Sequence, residues 1–183
     1  AQPFSTTSTA NQTTYRGVAL QNTTNVYESR STSSKVLKGY TQGSNLIYRS
    51  DSGDWYEATV YLNGKPHTGY IHKNHVEHKV DKQEQLEGVA KNSPTRVYKS
   101  VSTSSGVWKS YSVGSILKYR TFSENWYQAT VYVNGKRQTG YIHKNHVENA
   151  VAKQESLEGV AKNNPTRVYR NASTSAAVWK SYS

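Results

Sequence analysis

A repeat of 71 residues constrains what this chain can fold into more tightly than any other feature. Gly17-Val18-Ala19, Gly88-Val89-Ala90 and Gly159-Val160-Ala161 open successive units (88 − 17 = 159 − 88 = 71). The register holds without a gap, through Tyr27, Tyr98 and Tyr169, Trp55 and Trp126, and Asn63-Gly64 and Asn134-Gly135. Units 17–87 and 88–158 are identical at 45 of 71 paired positions, and the ten residues 68–77 return unchanged at 139–148. Such a period makes each unit one structural module, so a single fold has to be found and then copied. The expected organisation is a polar tail over 1–16, module 1 over 17–77, a linker over 78–87, module 2 over 88–148, a linker over 149–158 and the start of a truncated third module over 159–183.

Within a unit the pattern is all strand. Asn-Gly between alternating residues is the strongest short-range hairpin signal, because a type I′ turn needs positive φ at both central positions. It predicts strands over 55–62 and 65–71 around Asn63-Gly64, with a copy around Asn134-Gly135. Alternation places Tyr127, Ala129, Val131 and Val133 on a core face. Trp55, Glu57, Thr59 and Tyr61, like Trp126, Gln128, Thr130 and Tyr132, fall on the other face, unless a bulge turns the tryptophans inward. Short strands around Val26-Tyr27, after the Ser/Thr-rich loop, and at Asn45–Arg49 bring the count to five or six in about 60 residues. That density suggests a small barrel. The charged, Gln-rich connectors carry one apolar position each, Leu86 or Leu157, and read as linkers.

Composition narrows the function. There is no cysteine and no methionine, so neither a disulfide nor a thiolate metal site supports these small cores. No apolar run approaches the roughly 18 residues that span a bilayer. Ala1-Gln2-Pro3-Phe4 suits the start of a chain released by signal cleavage, and the cysteine-free composition fits secretion by a bacterium that does not rely on oxidative folding. Fifteen tyrosines and four tryptophans stand against two phenylalanines, a balance that suits half-buried strands and polymer-binding surfaces. The formal charge of +11 attracts polyanions.

The ordered string GVAK…VY…STSS…VWKSY…NWYQATVYVNGK…TGYIHKNHVE resembles the bacterial SH3-type repeats, of the GW-like class, of secreted Gram-positive cell-wall hydrolases and autolysins. The similarity runs from Gly17 to Ser183. It implies tandem SH3-like barrels joined by short charged linkers, secreted and held at the cell wall. Their role would be to target an enzyme elsewhere in the parent protein, such as a glucosaminidase or amidase, through teichoic acid or peptidoglycan. Tyr70 and Tyr141 stand where that class carries the tryptophan of its Gly-Trp dipeptide.

Sharper chemistries fit less well. His72-x-x-His75 and His143-x-x-His146 offer two imidazoles each, but His67 becomes Gln138 and His78 becomes Asn149. No third ligand repeats where zinc wants at least three, so no metal and no cofactor is expected. The acids shared by both units are Glu77/Glu148 and two pairs in the linkers, which leaves each body without the two carboxylates of a glycosidase. No cysteine nucleophile, Walker loop or GxGxxG string occurs. No catalytic residue is therefore assigned. A basic, tyrosine-rich chain also meets the first criterion for nucleic-acid binding, although its cations are dispersed. Host glycosaminoglycan adhesion would use the same surface.

Charge separates the two modules. Residues 17–87 hold eight Lys/Arg and eight Asp/Glu, whereas 88–158 hold ten against four, a net of +6. The candidate ligand-binding residues follow from these differences and from the repeats. They are the cations Arg96, Lys99, Lys118 and Arg137, the shared aromatics Trp55/Trp126 and Tyr61/Tyr132, and Lys73/Lys144 of the ten-residue repeat.

Overall fold

The computed structural model describes residues 11–150 with their side chains, and the backbone of strands 166–169 and 178–182. Module 1 is a seven-stranded sheet of β1 (Thr14–Ala19), β2 (Thr23–Tyr27), β3 (Val36–Thr41), β4 (Asn45–Ser50), β5 (Trp55–Leu62), β6 (Lys65–His72) and β7 (Val76–His78). Module 2 repeats it with β8 (Gln85–Ala90), β9 (Thr95–Tyr98), β10 (Val107–Tyr111), β11 (Ile116–Thr121), β12 (Trp126–Val133), β13 (Lys136–His143) and β14 (Val147–Asn149). Strand order is β3-β2-β6-β5-β4-β1-β7 in the first sheet and β10-β9-β13-β12-β11-β8-β14 in the second, with all neighbours antiparallel. The chain is thus all-β, as expected. β3 and β7 are the two sheet edges and do not pair with each other, so each sheet is open.

The hairpins form where Asn-Gly predicts them. Asn63 and Gly64 have φ of 52° and 75°, and Asn134 and Gly135 have φ of 51° and 75°. Eight residues from six strands of module 1, Ala19, Val26, Leu46, Tyr48, Ala58, Val60, Ile71 and Val76, form one buried cluster. Among the described residues no helix or second sheet covers it, so the sheet curves over its own face. Curvature requires close backbone approach. A Cβ on Gly17 would lie 2.2 Å from the Tyr48 hydroxyl, and one on Gly88 2.0 Å from that of Tyr119. The inner tyrosines keep their polar ends satisfied. Tyr48 OH meets His78 Nδ1 at 2.9 Å, and Tyr119 OH donates to Asn149 Oδ1 at 2.5 Å. His78 and Asn149 therefore do the same work, which explains why that position changes residue without changing the fold. Burial and the neighbouring Tyr127 push the Tyr119 hydroxyl up to about 12.

Both modules start earlier than expected. β1 opens at Thr14 because Thr14 pairs with Arg49, and β8 opens at Gln85 because Gln85 pairs with Arg120. Residues 14–16 therefore leave the tail, and 85–87 leave the linker. Nor are residues 79–84 a free spacer. Lys79 bridges Ser123, Val80 N–H donates to Phe122 O at 2.9 Å, and Glu84 N–H donates to Thr121 Oγ1 at 2.8 Å. Asn149, expected as linker, belongs to β14 and pairs with Gly88, while residues 151–158 and most of unit 159–183 lie outside the described residues. Within them β15 (Thr166–Tyr169) pairs with β16 (Val178–Tyr182), with Thr166 opposite Tyr182 as Thr95 is opposite Tyr111.

The modules pack directly on one another. Val18 of module 1 joins Tyr98, Val101, Phe122 and Trp126 of module 2 in a third buried cluster, flanked by Leu20 and Tyr141. Val18 is fully buried there, while its copy Val89 is 37% exposed. Glu77 closes the contact: it is buried and its carboxylate accepts the Asn125 N–H, while Glu148 is exposed. Sequence differences between the modules explain the contact. Where module 2 has Val101 and Phe122, module 1 has Arg30 and Asp51, a bidentate ion pair at 2.7 and 2.9 Å. An apolar pair in module 2 thus receives module 1, and a polar pair occupies the matching place in module 1. Installing that polar pair in module 2 (V101R with F122D) should lower the coupling between modules by on the order of 2 kcal/mol, since it removes buried apolar contact. Denaturant unfolding followed by tryptophan fluorescence should then split into two transitions. One coincident transition at the original midpoint would count against the interface.

Candidate functional site

The ten-residue repeat serves the fold first. Gly69 and Gly140 let β6 and β13 pass close to Val26 and Val97, where a Cβ would sit at 2.4 Å. Ile71, Ile142, Val76 and Val147 are core. His72 Nδ1 accepts the Asn74 N–H at 3.2 Å and caps the 3-10 turn Lys73–His75; His143 does the same for Lys144–His146. The carbonyl of His75 accepts Leu20 N–H at 2.9 Å and Thr24 Oγ1–H at 3.1 Å, and His146 repeats both bonds with Lys91 and Thr95. The two histidines of each copy of the repeat are thus a cap, through the side chain, and a staple, through the backbone carbonyl. Their rings lie 5.1 and 5.2 Å apart, and no group of three or more metal-ligating side chains occurs among the described residues.

The sequence candidates fall into three places. Lys118, Tyr132 and Arg137 share the outer face of β11, β12 and β13, with Tyr132 directly opposite Arg137. Tyr132 is 65% exposed and its copy Tyr61 66%. Arg96 and Lys99 lie at β9, where Lys99 Nζ sits 4.4 Å from the Trp108 ring centroid. Lys144 and Lys73 lie over Tyr127 and Tyr56, each 5.2 Å from the ring centroid. The tryptophans part company. Trp55 is half-buried, edge-on to Tyr27 and His72. Trp126 makes the matching contacts with Tyr98 and His143 but is only 5% exposed. No bulge turns it inward, since β12 and β13 pair without a break. Module 1 covers it.

Two residues on these surfaces escape reading from charge differences alone. Trp108 sits at a bulge between Val107 and Lys109, and its indole N–H donates to Thr139 O at 3.1 Å. Arg120 occurs in both modules, as Arg49 in the first, so a comparison of charges passes over it. Its Nε donates to Gln128 Oε1 at 2.9 Å and its Nη1 to Thr130 Oγ1 at 3.2 Å. Burial first, and the charge of Arg137 second, lower its proton affinity, which puts the two guanidiniums in one another's field. A cleft of about 250 Å³ between Tyr40, Ile47 and Ala58 recurs at about 150 Å³ between Tyr111, Lys118 and Ala129. Both are smaller than the clefts that enclose a small-molecule ligand, so the outer faces suit a polymer lying across them.

No protein-family model and no curated protein matches the chain. Solved structures give distant similarities. They include NlpC1 from Trichomonas vaginalis (TM-score 0.29, 13% identity, 83% of this chain and 50% of that one) and NlpC2 from the same organism (0.29, 12%, 82% and 52%). A third is the native structure of CBDP35 (0.28, 15%, 76% and 99%). The chain spans about half the length of the two NlpC structures. At TM-scores this low the similarities define neither the fold nor the function.

Burial lowers the pKa of His75, His143 and His146 from the ordinary 6.5. The unfolded chain then binds protons that the folded chain refuses. The associated stability is present above about pH 6.5 and is lost as pH falls through the lower folded values. Glu77 works in the opposite sense, because burial raises its pKa and protonation relieves that cost. The melting temperature should therefore fall between pH 7.5 and 5.5. His75→Gln with His146→Gln should flatten that fall; an unchanged slope would mean that these imidazoles are not its source.

Proposed function

We propose that this chain is a non-catalytic binding region that holds a secreted protein on the Gram-positive cell wall. In this reading each curved sheet is an SH3-like barrel, and the ligand is a wall polyanion, teichoic acid before peptidoglycan. The parent protein is a peptidoglycan hydrolase such as a glucosaminidase or amidase. The observation that carries the reading is the convergence of Lys118, Tyr132 and Arg137 on one open face of module 2. The matching face of module 1 has Ile47, Tyr61 and Pro66. An open aromatic and cationic face engages an extended, repeating anion better than a compact solute, and tandem faces raise the effective concentration for the second contact. The resemblance of the repeat to wall-targeting modules supports the same conclusion.

The chain should sediment with purified walls and lose most of that binding after chemical removal of teichoic acid. Retention should also weaken as salt rises from about 0.05 to about 0.5 M, because exposed charges are screened over about 10 Å at 0.1 M. Isolated module 2 should bind more tightly than isolated module 1. Equal, salt-insensitive binding by both would shift the ligand to a neutral glycan or peptide held by the shared aromatics. Binding to DNA but not to walls would favour the nucleic-acid alternative.

A further inference from the structure

Three exchanges between the modules fall on the same outer face. Ile47 becomes Lys118, Glu57 becomes Gln128 and Pro66 becomes Arg137, each raising the charge by one. Together they supply three of the six charges by which module 2 exceeds module 1. The middle exchange changes the state of an arginine that both modules possess. In module 1 Arg49 Nη2 donates to Glu57 Oε1 at 2.7 Å, its Nε reaches the same oxygen at 3.3 Å, and its Nη1 donates to Thr59 Oγ1 at 3.1 Å. All three guanidinium nitrogens are engaged and the charge is paired. In module 2 the bonds from Nε and Nη1 persist, to Gln128 and Thr130. Arg120 Nη2, however, has no acceptor among the described residues, and Gln128 brings no charge. Gln128 Oε1 also accepts from Gln83 Nε2 at 3.1 Å, so the amide oxygen that orients the guanidinium is itself held.

The result is an oriented, half-exposed guanidinium that keeps its charge and the donors of one nitrogen. Arg137 stands two strands away and four residues further along β13, about 16 Å between backbones by strand spacing and rise, and both side chains project from the same face. Lys118 is partly offset by Glu87, its partner across β8 and β11. That leaves the two arginines as the main unpaired charge. A guanidinium fork matches a tetrahedral phosphate or a planar carboxylate, and two forks spaced along one face suit separate anions of one extended chain.

We propose that Arg120, released by the exchange of Glu57 for Gln128, is the central anion-binding residue of module 2, and that with Arg137 it grips separate phosphates along one polyphosphate-type polymer. The exposed Tyr132 ring lies opposite Arg137 and forms the floor on which the chain rests. The site rests on the reading of module 2 as a polyanion binder, but it singles out one pair of side chains rather than net charge. Module 1 keeps the same arginine in a closed, self-neutralised form.

Two variants of the full chain that each remove one unit of positive charge separate these ideas. Gln128→Glu restores the module 1 ion pair within the site, while Lys109→Gln removes a charge on β10, away from it. Titration with long-chain inorganic polyphosphate at about 0.1 M salt should show roughly tenfold weaker binding for Gln128→Glu, the scale of one lost charge-assisted hydrogen bond. Lys109→Gln should lose less than about twofold. Gln128→Glu should melt no lower than the unaltered chain, since it adds an ion pair that module 1 tolerates. Equal losses in the two variants, or full binding by Gln128→Glu, would overturn the proposal. A site-dependent loss in a chain that does not bind walls would leave the site standing without the wall reading. Wall binding by a chain whose polyphosphate affinity ignores Gln128→Glu would do the reverse.

Discussion

Among the described residues each module has one sheet and no second layer over its core. Everything else follows from that constraint, since a single layer buries a core only by bending over itself. Bending brings β1 against Tyr48 and β6 against Val26, and only glycine leaves room at those crossings. It also draws a tyrosine into the centre of each core, which is acceptable because His78 or Asn149 stands ready for the hydroxyl. The 3-10 turn after β6 then sends the chain back as β7 to pair with β1. The repeated residues are largely those that this bend demands, which is why a string containing two histidines returns unchanged.

Local chemistry made much of this legible. Asn-Gly specifies a turn, the turn specifies the register of its strands, and alternation then sorts Tyr127, Ala129 and Val131 to the inside. The edges of the modules were less so. Glycine marks Gly17 and Gly88 because of crowding inside the sheet, but pairing with β4 and β11 continues three residues beyond them, where a single apolar side chain, Tyr15 or Leu86, stands between polar neighbours. The burial of Trp126 was invisible for a different reason. Its partner Val18 lies more than one hundred residues away in the preceding unit, and strand alternation carries no information about a neighbouring module. Only the paired change of Arg30 and Asp51 to Val101 and Phe122 records it, as two charges removed together from one place.

Surface and core have diverged independently in these copies. The core clusters use equivalent positions throughout, with Ala58, Val60 and Ile71 answering Ala129, Val131 and Ile142. The outer faces differ by whole charges. Exposed strand positions tolerate such changes at small cost in stability, so duplication leaves one copy free to alter its potential while the shared bend keeps both folded. A comparison limited to charges finds Lys118 and Arg137 because they are new. It misses Arg120 because that residue is old and only its partner has changed.

The contact between modules also bears on geometry. Beads on a flexible tether sample many separations, and the entropy of fixing two of them is lost on every double engagement. Here Val18 seated among Tyr98, Phe122 and Trp126, together with the Lys79–Ser123 bridge, sets the offset before any ligand arrives. Such a pair behaves less like a tether than like a gauge of defined length. Its two outer faces present a constant pitch, and a polymer whose own repeat is commensurate with that pitch meets both faces without further ordering.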